Sequence, residues 1–309
     1  MTRSLVHEPV HVVIPTRNRP TELRRCLDSL VRQTVTPDLV VVSDASESDS
    51  SETVCTDFSS AGVLPVVHLP CETAGTTVQR NHGLSALPNR LGFVLFLDDD
   101  VVLYGTYVER LLALMTRRLD VVGVAGGPAR REAPIAPFYY RAYLSLFCLG
   151  SMRRHGAVLA SGVNTPPPIT GPPVEAEWLF GCAMYRSRLF QGLSFDESLT
   201  GYGLFDDVEF SSRARAFGTL VVDPGAHLDH LHSPRERLDA RAYARVDVRN
   251  RHWFVRRHRP GIRSSLAYWW SILGLAILYA ARALHHSDAV DADRCRGLLE
   301  GIIDVAIHR

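Results

Sequence analysis

The sequence predicts an α/β protein: a mostly parallel central sheet covered by helices on both faces, with a helical C-terminal appendage. Three observations carry that reading. Continuous apolar, β-branched runs at 10–14 (VHVVI), 39–42 (LVVV) and 92–97 (GFVLFL) read as strands buried on both faces. Between them lie segments with helical apolar spacing, as at Leu23, Cys26, Leu27, Leu30 and Val31. From residue 241 the composition changes: eight arginines stand against one acid, Asp247, over 241–263, and an uncharged stretch, 266–281, follows.

In chain order, the first strand is ended by Pro15, and a helix over 20–32 follows, with Asn18 expected as its N-cap and Pro20 in its first turn. The second strand ends at Ser43-Asp44, and a Ser/Asp/Glu-rich loop leads to another helix. Val63–Leu69 reads as a weaker strand, and 92–97 runs straight into Asp98-Asp99-Asp100. Open parallel sheets bind ligands beyond the carboxyl ends of their strands. Thr16-Arg17-Asn18, Asp44 and Asp98–Asp100 are therefore expected on one edge. Residues 128–176, rich in Pro, Gly and aromatics, are too long for an idle connection and read as a lid or acceptor-binding segment. As a helix, 266–281 would be about 24 Å long at ~1.5 Å per residue, short of the ~30 Å hydrocarbon core of a bilayer. A second short amphipathic helix is expected over 298–307. The domain reading is 1–240 as one catalytic unit, with halves of about 1–127 and 128–240, and 241–309 as a basic, amphipathic helical segment.

Composition removes several classes of chemistry. The chain has 309 residues, 34 Lys+Arg against 33 Asp+Glu and a net charge of +1. None of the 34 cations is lysine, which excludes Schiff-base, pyridoxal, P-loop-lysine and kinase-lysine mechanisms. Near-zero net charge argues against a nucleic-acid partner. The six cysteines form no CxxC pair, and MTRSLVHEPV lacks the apolar stretch of a secretory signal, so reduced thiols and a cytoplasmic location are expected.

Three acids at the end of a buried strand repel one another unless a cation neutralises them. Asp98-x-Asp100 therefore reads as a site for Mg²⁺ or Mn²⁺, an ion such sites share with substrate phosphates; a solvated acidic turn is the other reading. Asp206, Asp207 and Glu209 fit an acidic first helical turn with Arg213 as an i,i+4 partner. His227, His230 and His232 fit a solvated loop cluster as well as a ligand set.

The order of motifs is more specific than any one of them. VVIPTRNRP (12–20), VVVSDAS (40–46), QRNHG (79–83) and FLDDD (96–100) are followed by EWLFGCAMYR (177–186), FDE (195–197), YGLFDDVEFSSR (202–213) and DPGAHLDH (223–230). This series resembles the family-2, inverting glycosyltransferases of GT-A fold over about residues 10–232. The resemblance implies a nucleoside-diphosphate sugar donor and a hydroxyl acceptor on a glycan or lipid. It implies Pro15, Thr16, Arg17, Asp44, Arg80, Asp98 and Asp99 on the donor side, with Asp98 and Asp100 as the Asp-x-Asp pair. His230 matches a position that can supply a further metal ligand. Asp207 matches the expected catalytic base, with a pKa raised by Asp206 and Glu209. Trp178, Gly181 and Asp206 would face the acceptor, Trp178 as a stacking platform or as core. Where the family reads Glu-Asp this chain reads Asp206-Asp207, and where relatives carry Asp-Asp-Gly-Ser or Asp-Asn-Gly-Ser it has Ser43-Asp44-Ala45-Ser46. Arg235 is a weaker diphosphate contact, and Cys182 reads as packing beneath the acceptor pocket.

The implied function is metal-dependent sugar transfer in cell-envelope polysaccharide or glycolipid synthesis. A non-catalytic nucleotide-sugar-binding scaffold and a metal-dependent nucleotidyltransferase are the alternatives. Arginines followed by Tyr268, Trp269 and Trp270 suit a peripheral site on the inner face of the cytoplasmic membrane through 241–284. A helix buried on the domain is the other reading of that segment.

Overall fold

The computed structural model describes residues 8–88, 91–129, 136–233, 238–286 and 289–307. The first half alternates strand and helix: β1 (Val10–Thr16), α1 (Pro20–Val31), β2 (Leu39–Asp44), α2 (Ser50–Ser60), β3 (Val66–Pro70), α3 (Thr76–Ser85), β4 (Phe93–Phe96), β5 (Val101–Leu103) and α4 (Tyr107–Arg117). The second half contributes β6 (Val121–Pro128), α5 (Phe138–Leu146), β7 (Val174–Ala176), β8 (Ala183–Arg186), α6 (Asp206–Ala214), β9 (Thr219–His230), α7 (Ala240–His258), α8 (Ile262–His286) and α9 (Ala289–Ile307).

The sheet runs β3-β2-β1-β4-β8-β6-β9-β5, with β7 on β9. Its first four strands in the chain, ordered β3-β2-β1-β4, pair wholly in parallel. β8 enters antiparallel between β4 and β6, and β6 and β9 are parallel again. Strand periodicity explains the two-faced core. Val12 and Ile14 of β1 turn toward α1 and α4, among Leu23, Leu27 and Leu111. Val13 points to the opposite face, among Phe96, Tyr185 and Phe210. The direction of chain growth reverses beside β1, so the crevice between the carboxyl ends of β1 and β4 is the topological switch point.

Local expectations differ at two places. Arg19, not Asn18, is the N-cap of α1. Asn18 takes a left-handed conformation (φ 54°), and its side-chain oxygen accepts from the Glu47 N–H at 3.1 Å, so it ties β1's exit to β2's. The uncharged run 266–281 is the centre of a longer helix. α8 has 25 residues, about 37 Å at ~1.5 Å per residue, because Arg263 and Arg282 lie inside it.

The C-terminal helices share a core with the preceding part of the chain. Val248 and Phe254 of α7, Tyr268 and Ile272 of α8, and Leu298 and Val305 of α9 pack with Val158, Trp178, Phe205 and Val208. Several arginines expected at a lipid surface are engaged within the protein. Arg241 pairs with Glu300, Arg245 with Asp304 at 2.7 Å, Arg259 with Glu177 at 3.2 Å, and the buried Arg251 with Asp247 at 3.2 Å.

Candidate active site

At the switch point lies an open cavity of about 490 Å³. Its walls come from the ends of β1 and β4, the first turn of α3, Gly181, the loop leading into α6, and the end of β9. Pro15, Thr16, Arg17, Arg80, Asp98, Asp99, Asp100, Gly181, Asp206, Asp207 and His230 all line it, so most of the sequence-predicted set converges.

The triple aspartate divides its labour by direction. Asp99 turns inward: its Oδ2 accepts from the Thr16 hydroxyl at 2.8 Å and its Oδ1 from Arg19 at 3.0 Å. Burial nonetheless pushes the Asp99 carboxyl up to about 6, with Arg19 and Thr16 opposing the rise. Asp98 and Asp100 turn toward the cavity side with His230, and one ligand atom from each of the three lies within 4.8 Å of the others. His230 Nε2 stands 2.8 Å from Asp100 Oδ1, the other Asp100 oxygen accepts from the Ser233 N–H at 3.0 Å, and the His232 ring stacks on His230 at 4.3 Å. Two carboxylates and an imidazole converging in this way suit a divalent cation.

Across the cavity, the loop 201–205 delivers the second acidic pair. Phe205, at the N-cap of α6, is held at φ 81°, a strained conformation for a bulky residue. Its side chain is buried against Phe254 of α7 (ring centroids 5.6 Å apart), which holds it there. Asp206 and Asp207 then open α6, and Glu209 pairs with Arg213 at 2.6 Å as the helical spacing predicts. The acidic first turn is real and also faces the cavity. Burial, and then Asp206, push the Asp207 carboxyl up to about 7; burial raises Asp206 in the same way, against Arg80. The expected push from Glu209 is absent among the larger causes. Arg213 and His258, whose Nε2 lies 3.2 Å away, neutralise Glu209 and hold it below its usual value although burial acts to raise it.

Arg80 joins the two acidic groups. Its guanidinium, buried beneath the cavity, donates to Asp206 Oδ2 at 2.6 Å and to Asp98 Oδ1 at 3.1 Å, and lies over the Phe195 ring at 5.2 Å. Gly181 leaves room for it: a Cβ there would sit 2.6 Å from Arg80 Nη2. Neighbouring Cys182 is fully buried, and burial raises its thiol pKa, so it is packing and not a nucleophile.

Three expectations land elsewhere. Asp44 is buried beside the cavity wall and not on it; Ser46 donates to its Oδ1 through both N–H and hydroxyl, and His68 Nε2 stands 3.0 Å from its Oδ2. Trp178 is core: it is buried, its indole N–H donates to the Thr165 carbonyl at 2.9 Å, and it does not line the cavity. No described residue of 128–176 lines the cavity either. Instead, Tyr143 donates to the Gly274 carbonyl of α8 at 2.6 Å, and Trp270 donates to the Leu146 carbonyl at 2.8 Å. Arg235 lies outside the described residues. Sequence reasoning missed Arg19 and Gln79, although both stand inside quoted motifs. The Gln79 amide donates to the carbonyls of Thr16 and Ser43 at 2.7 and 2.8 Å, pinning α3 to the ends of β1 and β2.

A half-sheet of parallel strands carries acids at its switch point, and these face a second acidic pair across one cavity. Residues 11–144, less than half of the chain, match the model for glycosyl transferase family 2, and the chain has a GT-A fold. Over 108 residues it is 35% identical to the glycosyltransferase GlyA of Streptococcus pneumoniae, a match spanning 35% of this chain and only 15% of that relative's length. Among solved structures, the mannosyltransferase PcManGT from Pyrobaculum calidifontis, in complex with GDP-Man and Mn²⁺, superposes with a TM-score of 0.62 at 15% identity, covering 97% of this chain and 88% of that one. Residues 1–349 of TarS from S. aureus give 0.54 at 17% identity, covering 96% and 92%. At such identities these likenesses establish the fold.

Proposed function

We propose that the protein is an inverting, metal-dependent glycosyltransferase that moves a sugar from a nucleoside diphosphate to a hydroxyl of a glycan or lipid-linked acceptor. One observation carries the reading: a cation-suited group (Asp98, Asp100, His230) and a carboxylate with a raised pKa (Asp207) face one cavity, and Arg80 bridges Asp98 to Asp206, the neighbour of Asp207. Asp207 takes the proton of the acceptor hydroxyl as that oxygen attacks the anomeric carbon. Its raised pKa makes it a competent base near neutral pH. Asp206, held by Arg80, shapes the acceptor side, and Gly181 keeps the wall between donor and acceptor open. Pro15, Thr16, Arg17 and the Asp98 side form the donor end. Asp44 acts from behind it by fixing the loop that follows β2.

Asp98, Asp100 and His230 would hold the divalent ion, which when bound stabilises charge on the departing diphosphate. A nucleotidyltransferase has no need of a base across the cavity, and a scaffold has no need of Asp207 at all. Residues 1–240 act as the catalytic unit and 241–309 as a helical segment that brings it to the inner face of the cytoplasmic membrane. That location suits a lipid-linked acceptor and a role in cell-envelope glycan synthesis.

The test is a thermal-shift panel of nucleoside diphosphates and their sugars with Mn²⁺ or Mg²⁺, followed by product analysis with the best stabiliser. Binding raises Tm by mass action. Release of nucleoside diphosphate that is lost in Asp207→Asn, with donor stabilisation retained, supports the reading. Release of pyrophosphate, or full turnover by Asp207→Asn, overturns it.

A further inference from the structure

The membrane reading above is deepened by a surface that the sequence does not show. Exposed large apolar side chains run the length of α8: Ile262, Leu266, Trp269, Leu273, Ile277 and Leu284 recur at spacings of three, four or seven. They form one stripe about 33 Å long at ~1.5 Å per residue. α5 lies against the same helix. Phe147, just after α5, stacks on Trp270 with ring centroids 4.9 Å apart, and a Cβ on Gly274 would sit 2.5 Å from Phe147. α5 in turn leaves Phe138 (74% exposed), Tyr139 (75%) and Leu146 (63%) in solvent.

Charge distinguishes the possible occupants. Residues 136–155 contain three arginines and no acid, and residues 256–286 contain five arginines and no acid. Of these, Arg141, Arg153, Arg256 and Arg263 are exposed. A second copy of the chain would bring two like-charged rims together, which repel. Anionic lipid headgroups complement the rim while the acyl boundary receives the stripe.

The opposite face of α8 fixes its orientation. Tyr268 donates to the Val248 carbonyl at 2.9 Å, the buried Arg251 guanidinium lies over the Tyr268 ring at 5.6 Å, and Arg282 pairs with Asp291 at 3.1 Å. A helix crossing the bilayer with these partners would carry Arg251, Asp247 and Asp291 into hydrocarbon. α8 is long and apolar enough to cross by length and composition alone. Its packing argues for lying flat.

We propose that α5 and the outer stripe of α8 form one docking face that lies in the plane of an anionic bilayer, with α8 parallel to the surface. This rests on the membrane-peripheral reading but adds α5 and the orientation. The experiment is flotation of the full chain with phosphatidylcholine vesicles, with and without phosphatidylglycerol, alongside quenching of tryptophan fluorescence by lipids brominated at different depths. Wild type should float with the anionic vesicles and be quenched most by the shallowest bromines. Phe138→Ser/Tyr139→Ser on α5 and Leu273→Ser/Ile277→Ser on α8 should each weaken binding about tenfold or more. Val63→Ser, on an exposed apolar residue between α2 and the edge strand β3, should leave it unchanged. Circular dichroism melts and nucleotide-induced thermal shifts on the same variants establish that they are folded. Folded α5 variants that bind as tightly as wild type, or quenching strongest at the bilayer centre, overturn the docking face while leaving membrane association intact. A wild-type chain that never floats overturns the membrane reading itself. A dimer in sedimentation that the same substitutions dissociate, without vesicle binding, assigns the face to a second copy and overturns the proposal.

Discussion

Replacing Gly181 by alanine tests the bridge between the two acidic groups by adding a single methyl group. The backbone at Gly181 is not in the left-handed region, so alanine brings no conformational strain of its own. Its Cβ would stand 2.6 Å from Arg80 Nη2 and 3.3 and 3.4 Å from the two Asp98 carboxylate oxygens. The end of an arginine usually swings aside at little cost. Arg80 cannot, because it is buried, held at one nitrogen by Asp206 and at another by Asp98, and packed on Phe195. Moving it by several tenths of an ångström sacrifices at least one charge-assisted hydrogen bond. Such a bond contributes about 1.5–3 kcal/mol, which corresponds to about 10- to 100-fold in kcat/KM if expressed in the transition state. The assay is nucleoside diphosphate release with the donor chosen by thermal shift, together with melting in the presence and absence of nucleotide. Gly192→Ala serves as control, since a Cβ there meets nothing within 4 Å. Turnover by Gly181→Ala within twofold of wild type would refute the claim that this guanidinium must stay where it is.

Three further outcomes follow from the charges around α6. Asp207 must be ionised to act as base, so kcat/KM should rise with pH through about 7 and then level off; Asp207→Asn should be about 10²- to 10⁴-fold slower with that limb absent. Because the folded state holds this proton to higher pH than the unfolded chain does, wild-type stability falls as pH rises from the ordinary aspartate range to about 7. Asp207→Asn should therefore melt higher than wild type at pH 8, with the difference vanishing in acid. Glu209 runs the other way: its carboxylate is held below the usual value, so its contribution is present at neutral pH and lost as pH falls through the carboxylate range. Glu209→Gln should destabilise by about 1.5–3 kcal/mol at pH 7, read by denaturant melts, with the gap closing at low pH.

The strand-rich donor half was legible because its signals are local. A buried parallel strand must be a continuous apolar run, and polar residues at its carboxyl end have one place to go, so Thr16 and Asp98–Asp100 could be placed from the chain alone. The cavity's other wall was legible only through motif order, since nothing in YGLFDD by itself says that Phe205 is strained or that Asp207 faces Asp98 across a guanidinium. What the chain alone leaves open depends on tertiary partners. Trp178 reads equally as a stacking platform or as core, and only Thr165 and the C-terminal helices around it place it in the core. The 128–176 segment reads as a lid until Tyr143 and Leu146 are seen bound to α8. The helix 266–281 was cut short because Arg263 and Arg282 look like ends; in the structure Arg282 finds Asp291 and the helix continues past it.

The shared core of the C-terminal helices has a practical and evolutionary consequence. Phe254 supports the Phe205 turn from which the proposed base is hung, and Asn250 donates to the Leu204 carbonyl at 2.8 Å in the same loop. A truncation meant to free the enzyme from a lipid surface would also unseat that loop, so a soluble but inactive fragment would say nothing about whether lipid is needed for turnover. On the reading proposed above, attachment and catalysis share one set of helices. A lineage that altered where the protein docks would have to do so by changing side chains on the outside of α8, leaving its inner face as fixed as the active site.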